Sequence, residues 1–316
     1  MSKLDEVMRD ATAGDPSSGL KWSHKSLRVI KRELARHGYP ISAPTIGRLL
    51  RNRSYSLRVN RKRIAGKQSP GRDEQFAYIE RWRKIFLRLK RPVISVDSKK
   101  KELIGRFKNA GQQWRRKPHD VLIYDFPSDA AGKAIPYGIY DVGRNEGYVV
   151  VGISHDTSAF AVAAIRSWWV NVGQKAYSGQ KHLLIEADCG GSNGNRCMSW
   201  KAHLQDFADE FGLTITVTHY PTGASKWNPI EHRMFNLISG NWAGQPLKSF
   251  EMVLKYIRST KTTTGFHCKA RLDKKVYLTG IKISKEEVAS IRLKKHVLFP
   301  HWNYSIRSRV SLQAKS

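Results

Sequence analysis

The sequence predicts an α/β fold, in which a mixed β-sheet flanked by helices is preceded by a helix-turn-helix segment and followed by a small α+β extension. Two observations predict it. From Pro92 onward, apolar runs of strand length alternate with helical patterns and are separated by turn residues. Before Pro92, the apolar residues recur at helical spacing. The 316 residues, 40% of them hydrophobic, leave room for two or three domains.

The central domain is predicted to span residues 92–245. Strand-like runs lie at 92–97, 120–126, 135–142, 147–153, 182–188 and 213–219. Helical patterns lie at 157–172, 200–211 and 231–242. Three strands, a helix, a strand, a helix, a strand and a helix follow one another in the ribonuclease H-like fold. In that order, the run at 120–126 becomes an insertion or an extra edge strand.

The ends of the chain have different predicted structures. Residues 1–20 are polar and form a lead-in or linker. Residues 246–316 form the α+β extension, in which Ser284 and Glu287 make a capping-box signature. No catalytic arrangement is predicted in that extension.

Residues 21–55 predict a helix-turn-helix that reads the major groove of DNA. One helix starts at Ser26 and stops near Gly38, and its predicted inner face carries Leu27, Ile30 and Leu34. Ser42 caps a second helix, whose predicted core side carries Ile46, Leu49 and Leu50. A small helical hairpin packed on another domain is the alternative. DNA binding is favoured because the exposed side of the second helix is polar and basic. Its predicted DNA contacts are Thr45, Arg48, Arg51, Asn52 and Arg53.

Residues 56–91 are predicted as a basic linker followed by an amphipathic helix at 73–89. The predicted inner face of that helix carries Phe76, Ile79, Trp82, Phe86 and Leu89. Arg61, Lys62 and Arg63 in the linker are suited to phosphate contacts. A solvated surface is the alternative. Such a surface mixes its signs, whereas residues 21–91 carry 21 lysines and arginines against four acidic residues. A segment that faces DNA is therefore the better interpretation.

The whole chain carries a formal charge of +30, with a pI near 10.2. This excess favours a polyanionic partner, and nucleic acid is the commonest. An anionic membrane is the alternative, but no stretch approaches 18 consecutive apolar residues and no signal-type segment opens the chain. We therefore expect no membrane partner and a cytoplasmic location. Three cysteines without a C-x-x-C pair predict neither a disulfide framework nor a zinc ribbon.

Three acidic residues stand where phosphodiester chemistry would need them. Asp97 and Asp188 each close an apolar run, and Glu231 opens a helix. Carboxylate oxygens are ligands for Mg²⁺, and two such ions can stabilise the attacking and leaving oxygens of an in-line displacement. These residues are therefore candidate catalytic residues and metal ligands.

Each acid also has a purely structural interpretation. Asp97 could form a salt bridge with Lys99 or Lys100, and Asp188 could make an Asx-type turn into the glycine-rich loop that follows it. Asn228, Pro229 and Glu231 fit the N-cap, N1 and N3 positions of a capping box. Glu186 competes with Asp188 for the second metal-binding position. The residues alone leave these alternatives open.

Several long motifs resemble the DDE domain of Rhodopirellula-type transposases, the ISAzo family of bacterial insertion sequences. They are 95–103 (SVDSKKKEL), 136–141 (PYGIYD), 187–194 (ADCGGSNG), 225–233 (SKWNPIEHR), 241–242 (NW) and 302–304 (WNY). The resemblance covers roughly residues 20–306. The Asn-Pro-Ile-Glu element is also similar to one in Tc1/mariner-like transposases, where the acid ligates metal.

The resemblance implies a transposase that cuts transposon ends and transfers the 3′-hydroxyl into target DNA. It implies Asp97, Asp188 and Glu231 as the Mg²⁺ ligands, with Mn²⁺ as a substitute, and no extra catalytic role for Glu186. The implied partners are double-stranded DNA of the terminal repeats and the target, and a homo-oligomer, at least a dimer, on that DNA in the bacterial nucleoid. Lys99 and Lys226 are expected to contact DNA. His232 and Lys226 could touch the scissile phosphate, and solvated positions at the helix end are the alternative for both.

The chain departs from the family pattern at two positions. Cys189 stands where glycine is expected, and Ala224 where a hydroxyl residue is usual. The family commonly has a further helical region before the segment that starts here, so a shortened chain is expected. The alternatives are a catalytically silent DNA-binding remnant that acts as a repressor, and a ribonuclease H-like nuclease.

Overall fold

Nine strands form one mixed sheet in the part of the chain that the computed structural model describes, namely residues 4, 6–7, 12–14, 21–23, 26–53, 55 and 70–309. The chain divides into two compact units, Met1–Ile64 and Ala65–Ser316, and the large sheet belongs to the second. The division falls inside the segment predicted as a basic linker. Arg61, Lys62 and Arg63, predicted to contact phosphates, lie outside the described residues.

The described residues of the first unit include a small strand pair and two helices. They are β1 (Thr12–Gly14) and β2 (Lys21–Ser23), which pair antiparallel, α1 (Leu27–Arg36) and α2 (Ala43–Asn52). Both helices begin where a serine is available to cap them. The Ser26 hydroxyl accepts a hydrogen bond from the Val29 amide, and the Ser42 hydroxyl accepts one from the Thr45 amide. The predicted cap at Ser42 is therefore present.

The two helices pack through the apolar residues that recur at helical spacing. Ile30, Leu34 and Ile46 are buried together, as their periodicity predicts. Leu27 was expected on the same inner face, but its side chain is 39% exposed because it lies in the first turn, at the edge of the helix contact. Use of this helix pair as a DNA-binding helix-turn-helix stays a prediction.

The sheet of the second unit is built around parallel central strands. In chain order, its strands are β3 (Val93–Ser98), β4 (Glu102–Ile104), β5 (Gly132–Asp141), β6 (Glu146–Gly152), β7 (His182–Ala187), β8 (Thr214–His219), β9 (His267–Asp273), β10 (Leu293–Lys295) and β11 (Asn303–Arg307). Their spatial order is β10-β11-β8-β7-β3-β5-β6-β9, and β4 pairs with β5. The strands β3, β7 and β8 are parallel to one another, whereas β5 is antiparallel to both β3 and β6. This is the predicted ribonuclease H-like arrangement.

Helices cover both faces of the sheet. They are α3 (Arg72–Arg88), α4 (Ser158–Trp168), α5 (Met198–Phe211), α6 (Asn236–Asn241), α7 (Phe250–Arg258) and α8 (Lys285–Ser290). The apolar side chains of α4 and α5 form a core with one face, and those of α6 and α7 form a core with the other. Ile79 and Phe86 of α3 are buried, as their spacing predicts. Leu89, also expected inside, is 47% exposed because the helix ends one residue before it.

Two segments differ from the sequence prediction. The run at 120–126 contains no strand, and its side chains at Ile123 and Tyr124 are 90% and 66% exposed. Strand length and apolar character alone therefore misassigned it, because no neighbouring strand pairs with it.

The segment predicted as a C-terminal extension joins the central sheet instead of packing beside it. β9 pairs in parallel with β6, and β11 pairs antiparallel with β8. The predicted capping box of Ser284 and Glu287 forms at the start of α8. Within the described residues, we find no helix with the length and apolar character needed to cross a membrane.

Candidate active site

The first two predicted acids leave neighbouring strands at one edge of the sheet. Asp97 is the fifth residue of β3, and Asp188 directly follows β7. These strands are parallel, and Ser95 is paired with Glu186. Because each acid lies two residues beyond this pair, the two carboxylates come off the sheet side by side. The structure thus brings Asp97 and Asp188 together.

Asp97 is a buried carboxylate without a counter-charge. Its side chain is only 9% exposed, and Oδ1 accepts a hydrogen bond of 2.7 Å from the Ser98 amide. Burial raises the pKa of Asp97 to about 8, and the neighbouring charges of Asp188, Glu231 and Asp156 contribute to the increase. No cation among the described residues lies within ion-pair distance of Asp97.

The salt bridge considered for Asp97 is therefore absent from the described structure. The Lys99 ammonium instead lies 3.1 Å from Glu102 Oε1, and 4.5 Å from the centre of the Trp242 ring. Burial lowers the pKa of Lys99, although Glu102 opposes this effect. Lys99 is thus a largely buried cation that another acid holds.

Asp188 makes the turn that its sequence context suggested. Its Oδ1 accepts hydrogen bonds from the Gly190 amide at 3.3 Å and from Asn193 Nδ2 at 3.1 Å. Burial raises the pKa of Asp188, although these two hydrogen bonds act in the opposite direction. Oδ2 accepts no hydrogen bond within the described part of the chain. The turn therefore orients the carboxylate and leaves one oxygen available.

The capping box considered at Glu231 does not form, because the side chain of its N-cap residue, Asn228, makes its hydrogen bonds to β3. Asn228 is fully buried, its Nδ2 donates to the Val96 carbonyl at 3.2 Å, and its Oδ1 accepts from the Ser95 hydroxyl. The Ser95 hydroxyl in turn accepts from the Ile230 amide at 3.0 Å. We call Ser95 and Asn228 the β3 clamp. It ties the helix start that carries Glu231 to the strand that carries Asp97.

Glu231 starts a π turn, Glu231–Phe235, that leads into α6. Such turns are rare and often occur at functional sites. Burial raises the pKa of Glu231, the charges of His232 and Lys99 lower it, and Asp188 raises it. Its carboxylate therefore shares an electrostatic environment with the strand-end acids.

The acids are neighbours, yet they do not form a finished metal site. Among residues in the described ranges, no group of three or more His, Cys, Asp or Glu side chains could hold a metal ion as arranged. Like charges repel one another, and Asp188 is turned towards donors of its own loop. The three predicted ligands thus lie in one region without converging on one point.

A fourth acid, Asp156, was missed in the sequence. Its Oδ1 accepts a 2.9 Å hydrogen bond from the Ser98 hydroxyl, and its charge raises the pKa values of both Asp97 and Asp188. Asp156 follows β6, which runs in the same direction as β3 because both are antiparallel to β5. The sequence signal for Asp156 is its position shortly after β6, a third strand that ends at the same edge of the sheet as β3 and β7.

Glu186, which competed for the second position, serves the fold. It is fully buried and accepts two hydrogen bonds from Arg83 of α3, at 2.8 Å from Nε and 2.6 Å from Nη2. The Tyr220 hydroxyl donates a third bond to it at 3.1 Å. A carboxylate neutralised in this way has no free charge to offer a metal ion.

Residues near the C-terminus support the Asp188 loop, a role that sequence reasoning missed. His219 Nδ1 lies 2.7 Å from the Asp188 carbonyl, and its Nε2 lies 3.2 Å from the Tyr304 hydroxyl. The carbonyl can only accept, so Nδ1 carries the proton and Nε2 accepts from Tyr304. Tyr304 accepts from Trp200 Nε1 at 3.0 Å. Burial lowers the pKa of His219 to about 4, which keeps the ring neutral.

The two departures from the family pattern are accommodated locally. The Cys189 thiol donates to the Tyr220 carbonyl at 3.0 Å, so the side chain ties the Asp188 loop to the end of β8. Burial raises the pKa of this thiol to about 12. Ala224 is buried against Ile79 and Tyr220, where a methyl group packs without an unpaired hydroxyl.

The predicted DNA-contacting residues that the structure describes lie on α2, directly after α2, and near the acids. Arg48, Arg51 and Asn52 are exposed on α2, and Thr45 is half-buried with its hydroxyl 2.8 Å from that of Ser42. Arg53 is exposed, and its Nη1 lies 3.4 Å from the Leu49 carbonyl. Near the acids, Lys226 is exposed and Lys99 is buried. Both lysines line the same cleft beside Glu231.

Comparisons with known proteins agree with the resemblance seen in the motifs. The family described as Rhodopirellula transposase DDE domain matches residues 3–308. The chain has no significant match among curated proteins.

Solved structures that resemble the chain include the Mos1 transposase paired-end complex with the left transposon end, at 12% identity, covering 81% of this chain and 69% of that one with a TM-score of 0.43. They also include the Mos1 mariner paired-end complex with Mn, at 13% identity, 80% and 68% coverage and a TM-score of 0.43. Because the family match spans nearly the whole chain, this protein belongs to the Rhodopirellula transposase DDE domain family and is a DDE-type transposase.

Proposed function

We propose that this transposase cuts DNA at the ends of a bacterial insertion sequence and joins the resulting 3′-hydroxyl to target DNA. Asp97, Asp188 and Glu231 are its proposed catalytic residues and its ligands for Mg²⁺, with Mn²⁺ as a substitute. The observation that carries the proposal is the parallel register of β3 and β7, which places two strand-end carboxylates side by side. The β3 clamp brings the third acid to the same region.

The donor set fits a hard divalent cation. All the candidate ligands are carboxylates, and oxygen is the donor that Mg²⁺ prefers. Several negative charges are gathered in a largely buried site, where burial and mutual repulsion raise the pKa of Asp97. A cation would relieve that repulsion. Closing the site requires adjustment of the Asp188 and Glu231 side chains, because the acids do not converge as arranged.

When bound, divalent cations supply Lewis-acid activation of the attacking and leaving oxygens. The protein contributes the positions of its own groups. Asp97 is oriented by the Ser98 amide, and Asp188 by Asn193, and each carboxylate keeps one oxygen that accepts no hydrogen bond from the described residues. Glu231 approaches from the helix side. Water and then the DNA 3′-hydroxyl are the proposed nucleophiles, so the chain needs no covalent intermediate with DNA.

The first unit is proposed to bind the terminal repeats. Arg48, Arg51 and Asn52 leave one helix on its exposed side, and Ile46 anchors the opposite side in the core. Arginine and asparagine can make paired hydrogen bonds to guanine and adenine in the major groove. Thr45 and Arg53 extend this surface at the two ends of the helix. Because transposition must hold two ends together, we propose at least a homodimer on DNA.

Cleavage of labelled duplexes tests the function. Their sequence would come from the inverted repeats flanking the gene, and purified protein would be assayed with Mg²⁺ or Mn²⁺. We expect cutting at the transposon end and transfer of the new 3′-hydroxyl to a second duplex. Asp188→Asn should abolish both steps, because it removes a ligand charge. Asp206→Asn is the matched control, since its side chain is 69% exposed on α5.

Full activity of Asp188→Asn would refute the assignment of this residue. Sequence-specific binding by the wild-type protein without any cutting, even with Mn²⁺, would support a DNA-binding remnant instead. Cutting that ignores the terminal-repeat sequence would support a ribonuclease H-like nuclease.

A further inference from the structure

A cleft of about 460 Å³ lies beside Glu231, outside the strand-end acids. Its lining includes Lys99, Lys100, Lys226, His232, Phe235 and Asn236. We call it the Lys99 cleft. Its volume is within the range of sites that hold a small molecule or one unit of a polymer. Because Glu231 belongs to its wall, anything bound there lies next to the proposed reaction centre.

The charges of the cleft favour an anion. Three lysines line it against one lining acid, Glu231, and the balance stays positive when Glu102, the ion-pair partner of Lys99, is counted as a second acid. Lys99 is held in place, because its ammonium contacts Glu102 Oε1 at 3.1 Å and lies over the Trp242 ring. A cation held in this way loses little conformational entropy when it meets a phosphate. Lys226 is exposed and lies over the Trp227 ring, 5.5 Å from its centre.

The remaining lining suits the other parts of a nucleotide. The Phe235 ring is buried against the sheet beside Gly138, so the exposed lining groups are the His232 imidazole and the Asn236 amide, which can donate and accept hydrogen bonds. His232 and Asn236 are four residues apart on the helical segment that begins at Glu231, so they share one face of it. Aromatic and amide groups beside lysines can hold a base together with its phosphate.

We propose that the Lys99 cleft binds one nucleotide of a DNA strand next to the scissile phosphodiester. The backbone phosphate lies between Lys99 and Lys226, and the sugar and base lie along His232 and Asn236. This inference rests on the proposed DNA cleavage and specifies which part of the substrate the chain grips. The grip fixes the distance between the held nucleotide and Glu231, and so sets which bond is presented for cutting.

Neutral phosphates in the DNA test the cleft. Terminal-repeat duplexes would carry a single methylphosphonate at each position around the cleavage point, and binding would be measured with Ca²⁺ by fluorescence anisotropy. For the wild-type protein, we expect one methylphosphonate next to the scissile position to weaken binding about tenfold, the loss of one charge-assisted hydrogen bond. In Lys226→Gln, the same methylphosphonate should cause no further loss, because its contact is already missing.

Controls separate the cleft from folding and from the overall reaction. Lys99→Gln should give the same loss of sensitivity, and Lys226→Gln keeps the test valid if the buried Lys99 variant fails to fold. Lys175→Gln, at an exposed lysine outside the cleft, should retain the tenfold sensitivity. If the wild-type protein cuts the repeats but both cleft variants keep that sensitivity, the cleft inference is wrong and the proposed function stands. If the wild-type protein cuts no repeat DNA, the proposed function fails and the cleft inference fails with it.

Discussion

Two carboxylates at the end of β7, Glu186 on the strand and Asp188 just after it, have opposite surroundings. Glu186 is fully buried and receives three hydrogen bonds, two from Arg83 and one from Tyr220. Asp188, two residues later, receives bonds only from neutral donors of its own loop, and no cation of the described residues pairs with it. The two carboxylates therefore differ in whether a cationic side chain neutralises them. Glu186 ties α3 to the sheet through Arg83, whereas Asp188, a proposed metal ligand, has no cationic partner in the described part of the chain.

The largest expected effect comes from removing the counter-charge. Arg83→Met would leave Glu186 buried and unpaired, and should lower the free energy of unfolding by about 3–5 kcal/mol. Urea denaturation would measure it. The double variant Arg83→Met/Glu186→Leu should recover most of the loss, because no buried charge remains. A double variant as unstable as the single one would show that packing of Arg83, not its charge, matters.

Mg²⁺ that binds at Asp188 should stabilise the folded protein. At a Mg²⁺ concentration of 100 times the Kd, the wild-type protein should gain about 2.7 kcal/mol in free energy of unfolding. Asp188→Asn should lose this gain, and chelation by EDTA should reverse it in the wild-type protein. Thermal denaturation with and without Mg²⁺ would measure the effect. An equal gain in both proteins would mean that Mg²⁺ binds elsewhere.

The β3 clamp is fully buried, and it positions the helix start that carries Glu231, a proposed ligand. Asn228→Ala leaves the Ser95 hydroxyl without its acceptor and should cost about 1–3 kcal/mol of stability. It should also raise the Mg²⁺ concentration needed for half-maximal cleavage, since Glu231 is less firmly placed. Asn241→Ala, at the far end of the same helical segment, removes hydrogen bonds to Tyr256 and Thr260. It should lower stability without changing that Mg²⁺ requirement; a change in both variants would show that the clamp has only a structural role.

The smallest effect is expected where a carboxylate is exposed. Glu80 is 48% exposed and lies 3.3 Å from both Arg83 Nη1 and Lys84 Nζ. Glu80→Gln should change the free energy of unfolding by less than about 1 kcal/mol, because water screens exposed pairs. Denaturation of this variant beside Arg83→Met would compare one arginine's exposed and buried partners directly. Equal losses would contradict the role given to burial.

The sequence was most informative where the signal is local. An acid that closes an apolar run can be recognised from its neighbours, and so Asp97 and Asp188 could be singled out. The same local view misjudged Asn228, which looked like an N-cap, because Ser95 binds it from 133 residues away. Arg83 is 103 residues from Glu186, so no spacing rule could tell which acid on this strand is neutralised.

Apolar character alone was also insufficient to place strands. The run at 120–126 has strand length but no partner strand, whereas β9 and β11 were assigned to an extension and instead pair with β6 and β8. Pairing depends on residues far apart in the chain, and periodicity within one segment carries no information about it.

The position of Tyr304 late in the chain affects when the enzyme can finish folding during translation. The loop of Asp188 is supported by His219, and His219 accepts from the Tyr304 hydroxyl on β11, 85 residues later in the chain. A nascent chain that has already exposed Asp97, Asp188 and Glu231 still lacks this support. The Asp188 loop therefore gains this support only after β11 has been synthesised, so folding around the proposed active site is completed late in translation.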